Sequence, residues 1–230
     1  MSVITQNHNF EPGFVPRRYT ELIRALPIGA TLQMTGITWQ EYEDLLVDLD
    51  EQPRFRLTFD QGRLEITTLS PEHEGYSGLF SHLIQILTEE LGTDYIALGS
   101  TTLRDKTAEG GTEADDCFYI GDFAAVAGKK RLDLSTDPPP DLAVEIDVTH
   151  DSLHKFSIYA DLKVREIWRF DGKQMQFHRL SRNRYREVGS SGLFPFLTPE
   201  ALPQFLEQGR KQGINAMWRA FREWVRTSRK

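Results

Sequence analysis

Cysteine is nearly absent. Cys117 is the only one in 230 residues, so the chain forms no internal disulfide and no cysteine-built zinc cluster. No run approaches eighteen apolar residues, which leaves nothing to cross a membrane as a helix. The first ten residues lack the basic start and apolar stretch of a secretory leader. There is no Gly-x-Ser-x-Gly elbow for a serine hydrolase and no Walker-type glycine loop for nucleotide phosphates. These absences lead to the expectation of a soluble, cytoplasmic protein. With 39% hydrophobic residues the chain can bury a sizeable core.

The formal net charge of −7 argues against a uniformly basic, nucleic-acid-coating protein, but the charge is uneven. Over residues 199–230, seven Lys and Arg stand against three Glu. That pattern fits a basic face meeting phosphate, and it fits a solvated terminal helix equally well.

Local patterns divide the chain. Residues 1–18 are polar and proline-containing and read as a flexible tail. Residues 19–230 read as one domain, with a short helix first, over Tyr19–Leu26. Thr38-Trp39-Gln40-Glu41 is a capping box that opens a second helix. Phe55, Leu57 and Phe59, then Leu64 and Ile66, alternate with polar residues across the turn Asp60-Gln61-Gly62, as in a hairpin. Ser70-Pro71 opens a long helix whose apolar residues recur from Tyr76 to Leu91, and Gly92 ends it. Asp94–Arg104 reads as one strand, the segment to Glu113 as a loop, and Cys117–Ile120 as a short strand. Residues 121–140 form a long connection. Strand 141–148, a helix over Asp151–Lys163, and a hairpin turning at Asp171-Gly172 follow. A strand at Tyr185–Val188 and an amphipathic C-terminal helix complete the series. The order predicts a mixed α/β domain built around one sheet.

The strand 141–148 carries the most informative pattern. Its even positions, Leu142, Val144, Ile146 and Val148, are aliphatic, while Asp141, Glu145 and Asp147 lie on the other face. Glu145 and Asp147 are about 6.6 Å apart along the strand and repel unless a cation lies between them. A divalent metal or neighbouring arginines would satisfy this. In the next segment Asp151, Lys155 and Tyr159 follow at helical spacing, so Lys155 serves either a surface ion pair with Asp151 or the acids at the strand end. Glu113-Ala114-Asp115-Asp116 is a second acidic group, before a short apolar strand. Pro140-Asp141 spells the dipeptide of a nuclease motif, but Asp141 and Glu145 are about 13 Å apart in extended chain, too far for one ion. His150 and His154 have the spacing of a zinc-protease pair, yet Asp151-Ser152-Leu153 supplies no adjacent general-base Glu.

Four segments together resemble the Uma-two family: Gly99–Thr102, Glu113–Ile120, Pro139–Asp147, and Ile158–Ala160 through Arg165–Arg169. The likeness runs from Ile37 to Arg226. These restriction-endonuclease-like proteins, abundant in cyanobacteria, have a PD-(D/E)XK nuclease fold, a central mixed sheet flanked by helices. The resemblance implies that Asp115 and Glu145 bind the metal, with the Ile146 carbonyl, and that Lys155 is the catalytic lysine. Ala114 replaces the usual proline, and Asp147 stands where the general motif has lysine. Glu74, Asp147 and Asp151 are implied as possible supporting acids. The implied activity is Mg²⁺-dependent (Mn²⁺ possible) hydrolysis of phosphodiester bonds in DNA. The alternative is a nuclease-fold protein that has lost catalysis and serves as a dimerising or DNA-binding module. The apolar stripe of Gln212–Arg226, with Arg219, Arg222 and Arg226, leads us to expect a homodimer with this helix near its interface or a DNA channel. The same stripe could close the monomer's own core.

Overall fold

The capping box forms as its spacing predicts. The Thr38 amide donates to Glu41 Oε2 at 2.7 Å, and the Glu41 amide donates to Thr38 Oγ1 at 3.2 Å. The structure is a computed structural model, and it describes residues 3–5, 17–49, 54–148 and 151–229. In chain order it contains β1 (Val3–Thr5), α1 (Arg17–Arg24), β2 (Thr31–Thr35), α2 (Trp39–Leu49), β3 (Phe55–Asp60), β4 (Arg63–Thr68) and α3 (Pro71–Leu91). Then come β5 (Tyr95–Ala97), β6 (Thr102–Asp105), β7 (Gly110–Glu113), β8 (Asp116–Ile120) and β9 (Leu142–Ile146). A 3₁₀ turn at Leu153–Lys155 leads into α4 (Phe156–Asp161). The chain ends with β10 (Glu166–Phe170), β11 (Met175–Ser181), β12 (Arg184–Val188), α5 (Pro203–Gln212) and α6 (Ile214–Ser228). Among the described residues no helix is long and apolar enough to cross a membrane.

The mixed α/β class is as expected, but the strands form two sheets rather than one. The first has the order β1-β2-β4-β3-β7-β6, the second β12-β11-β10-β9-β8-β5. Each combines one parallel pair, β1–β2 or β9–β10, with antiparallel neighbours. The expected single strand over Asp94–Arg104 is therefore two strands in different sheets. Gly99, at φ 59°, turns the chain between them. The expected loop before Glu113 contains β7, whose glycines hid it from β-propensity. Gly111 is required there: a Cβ would come within 2.5 Å of Tyr42 Oη. Within the expected tail, Val3–Thr5 pairs with β2.

Helix α3 is the beam to which both layers attach. Ser70 accepts from the His73 amide at 3.2 Å, Pro71 occupies the first turn, and Gly92 at φ 66° ends the helix. Its apolar face packs with α5 and α6 on the second sheet. There the even positions of β9 join Trp168, Phe177, Phe221 and Val225 in the largest core. Each such fully buried side chain contributes about 2 kcal/mol of transfer free energy. Ala143, Cys117 and Ile167 pack on the other face against α4, so this sheet is covered on both sides. The first sheet buries Leu57, Phe59, Leu64 and Ile66 beneath α1 and α2. Its second face is polar, with Arg56, Thr58, Glu65 and Thr112. That polar face meets the end of the second sheet, and the candidate site lies there.

Candidate active site

Two residues, Ala114 and Asp115, carry the chain from β7 in one sheet to β8 in the other. Strand β8 runs antiparallel to β9, with Asp116 opposite Val144 and Cys117 opposite Ala143. Asp115 lies just before this pairing begins and Glu145 follows Val144 on β9, and both side chains line one cleft. The Asp115 amide donates to the Val144 carbonyl at 3.1 Å, and the Ile146 amide donates to Asp115 Oδ2 at 2.7 Å. Both carboxylates are buried. In the acidic group Glu113–Asp116, alternation sends Asp116 the other way, to accept from Ser81 Oγ below α3. Burial pushes its carboxyl up to about 6.

Lys155 brings its ammonium to Glu145, 3.0 Å from Oε2 and 3.4 Å from Oε1, and also 3.4 Å from the Glu113 carbonyl. Tyr159, one turn on, donates its hydroxyl to Glu145 Oε1. The expected face of Asp151, Lys155 and Tyr159 is thus two-thirds present. Asp151 lines the same cleft but shares no helix face with Lys155, because a 3₁₀ turn at Leu153–Lys155 leads into α4 and breaks the i+4 spacing. Its carboxylate caps the Leu153 amide at 2.7 Å and is 63% exposed. Asp147 is buried beside the site but belongs to Arg169, which donates its Nε to Oδ2, and to the Ser152 amide at 3.0 Å. Neighbouring arginine, one of the two ways the sequence left open, satisfies this acid.

Two further groups close on Asp115. His73 Nε2 lies 2.9 Å from Asp115 Oδ2, and its Nδ1 is buried without a hydrogen-bond partner among the described residues. Arg56 Nε lies 3.8 Å from Asp115 Oδ1, and its Nη2 lies 3.7 Å from Glu74. Glu74, a possible supporting acid from the sequence, is 57% exposed at the rim and reaches the site only through Arg56 and His73. His73 and Arg56 were not among the residues singled out from the sequence. His73 had a signal: it starts the α3 stripe that continues through Tyr76, Phe80, Ile84 and Leu87, so it occupies a core-facing position. Arg56 had none, because the alternation in β3 reads as a solvent face until the second sheet is placed against it.

Electrostatics distinguish the two acids. Burial raises the Asp115 carboxyl, but the His73 hydrogen bond and the Lys155 and His73 charges outweigh it, leaving the group below its ordinary range. Burial pushes Glu145 up to about 7, with Lys155 opposing and Asp115 adding to the rise. Burial lowers Lys155, but the carboxylates of Glu145 and Asp115 outweigh it and hold the ammonium charged. The cleft among these residues has a volume of about 30 Å³, room for an ion or a water or two.

The remaining predicted residues have other partners. Asp141, at the far end of β9, pairs with Arg165 at 2.7 Å and accepts from the Ile120 amide at 2.9 Å, so the literal Pro-Asp dipeptide is structural. His154 pairs with Glu65 at 3.0 Å, and His150 lies outside the described residues. Met217, Phe221 and Val225 of α6 are buried in the monomer's own core. Arg222 and Arg226 pair with Glu89 and Glu90 at the C-terminal end of α3. Seventeen helical residues separate Glu90 from His73, about 25 Å along the axis. The helix expected at an interface or DNA channel is thus a core helix remote from the acids, and Arg219 is exposed on it.

A family model for Uma2, described as "Putative restriction endonuclease", matches residues 39–209. The chain belongs to the Uma2 family. Membership supports a nuclease function and agrees with the restriction-endonuclease-like, mixed α/β core. A crystal structure of a DUF820 protein from Anabaena variabilis, described as a putative nuclease, is similar at 13% identity and a TM-score of 0.45. The match covers 76% of this chain and 98% of that one. No curated protein matches the chain.

Proposed function

We propose that this Uma2 protein is a metal-dependent endonuclease that hydrolyses phosphodiester bonds in DNA, with Asp115, Glu145 and Lys155 as its catalytic residues. One observation carries the reading: two buried carboxylates, Asp115 and Glu145, line one cleft, with the buried Lys155 ammonium 3.0 Å from Glu145.

The residues fit a divalent cation. Carboxylate and backbone carbonyl oxygens are the hard donors that Mg²⁺ and Mn²⁺ prefer. Asp115 Oδ1 accepts no hydrogen bond among the described residues, while Oδ2 is held by the Ile146 amide and His73. No three His, Cys, Asp or Glu side chains form a metal-holding group among the described residues, so the proposed site rests on two carboxylates and a backbone carbonyl. Asp115, Glu145 and the Ile146 carbonyl would hold the cation, which when bound polarises a phosphoryl oxygen and makes water a better nucleophile.

The chain's own groups then have distinct tasks. His73 and the Ile146 amide fix the Asp115 carboxylate and aim its free oxygen into the cleft. Tyr159 fixes Glu145 from behind. Lys155 carries three donors on a flexible stem and can orient a water or stabilise charge on the phosphate. Arg56, beside Asp115, offers a second cation to the phosphate. Cutting both strands of DNA calls for two sites, which a homodimer supplies. Because the α6 stripe is spent on the monomer core, such a dimer would use another face. The cytoplasm, where DNA lies, is the compartment we assign.

Asp115→Asn tests the reading. The variant should fold normally and lose at least about 100-fold of its Mg²⁺-dependent cleavage of plasmid DNA, because one metal-binding charge is removed at little cost in packing. Wild-type rates in this variant would overturn the assignment.

A further inference from the structure

Beside the cleft lies a second, larger concavity of about 250 Å³, between β3, the start of β6 and the 121–140 connection. It is basic in an acidic protein. Arg56, Arg104, Lys130 and Arg131 line it, with Thr102 and Glu113. Arg56 lines both hollows, so the two are neighbours.

The fold holds these cations in place. The Leu134 amide donates to the Arg104 carbonyl at 2.9 Å, and Leu132 is buried in the core, which sets Lys130 and Arg131 over the opening. Lys129 turns away to Asp137, while the exposed ammonium of Lys130 has no ion-pair partner among the described residues. Glu113 does not answer it. Its oxygens accept from the Leu57 amide and from Thr102 Oγ1, each at 3.0 Å. Glu43 pairs with Arg104 at 2.7 Å. A recess in which four cations stand against one carboxylate concentrates negative charge.

We infer that this concavity is the subsite for the nucleic-acid backbone next to the bond being cut, with Lys130 and Arg131 contacting its phosphates. The inference rests on the nuclease reading above and adds the direction in which the strand leaves the cleft, past Arg56 toward the 121–140 connection. It also assigns the phosphate contacts to Lys130 and Arg131 rather than to α6, which the sequence offered for an interface or a DNA channel.

Binding is measured on the full chain in EDTA, so that cleavage does not intervene. A fluorescent 20-base-pair duplex and its single strand serve as probes over a range of salt. The Lys130→Ala/Arg131→Ala variant should raise Kd at least about tenfold and reduce the dependence of log Kd on log salt by about 1.5 to 2, as expected for two lost phosphate contacts. Lys130→Glu alone should weaken binding in the same direction, which guards against any disturbance caused by Arg131. Lys211→Ala, removing an exposed lysine paired to Glu207, should leave both quantities unchanged. Wild-type binding with an unaltered Kd and slope in the double variant would overturn the subsite and leave the nuclease reading standing. Failure of the wild type to bind either probe would overturn both.

Discussion

Helix α3 carries a charge cluster at each end, and the two are built differently. At its N-terminal end His73, Arg56, Asp115, Glu145 and Lys155 are nearly all withdrawn from water. At its C-terminal end Glu89 and Glu90 meet Arg222 and Arg226 in shorter, better-aligned ion pairs, with most of these groups in contact with solvent. Good geometry is cheap at a surface, where charges keep their water and a pair is worth little. The buried cluster gives up hydration that its internal pairs offset only in part, so it is a costly way to hold a fold together. The pKa shifts follow the same division. Burial drives Glu145 up to about 7, whereas Glu90 is lowered, first by its Arg226 hydrogen bond. The contrast teaches that the basic C-terminal helix closes the molecule, while the strand ends carry the buried cluster we propose as catalytic.

Lys155→Met should break this contrast most. It strands Glu145 in a buried site without its cation and should cost about 3 kcal/mol of stability. Turnover should also fall far more than metal affinity. Adding Glu145→Gln should restore much of the stability but none of the activity, which denaturation and cleavage assays on the two variants would check. A loss no larger than that of a surface pair would place Lys155 with the charges at the other end of α3.

The Arg222→Ala/Arg226→Ala variant should change little. Its melting temperature should stay close to that of the wild type, and cleavage and DNA affinity should be unaltered. A marked loss of DNA binding would return the phosphate path to α6.

The smallest effect concerns His154, whose pKa is raised, first by its hydrogen bond to Glu65 and against burial. A histidine with a raised folded-state pKa contributes stability that is fully present below its ordinary value and lost as pH rises through the raised one. His154→Gln should therefore lower the melting temperature slightly in mildly acidic buffer and not at all in alkaline buffer. A difference independent of pH would mean that the pair contributes packing rather than charge.

Much of the site could be read from the sequence because strands impose a strict alternation. The aliphatic even positions of β9 marked the face of the largest core and left Glu145 on the other, which α4 covers. The resemblance then named Asp115, which spacing alone could not pair with it. The missing parts depended on long-range packing. Nothing local in Asp94–Arg104 signals that its two halves join different sheets, and Gly110-Gly111 conceals a strand whose glycine makes room for Tyr42. Arg56 acquires its place only when the polar face of one sheet meets the end of the other. The expected helix face of Asp151 and Lys155 is absent because the chain enters α4 through a 3₁₀ turn rather than a regular helix.

The central claim is that Asp115 and Glu145 together hold a divalent cation. Calorimetric titration of the metal-free protein with Mn²⁺, in the wild type, Asp115→Asn and Glu145→Gln, tests it most directly. The account predicts saturable binding by the wild type and at least about tenfold weaker binding by each variant, with the Asp115→Asn fold intact by circular dichroism. Equal Mn²⁺ affinity in all three proteins, or none in the wild type, would contradict it.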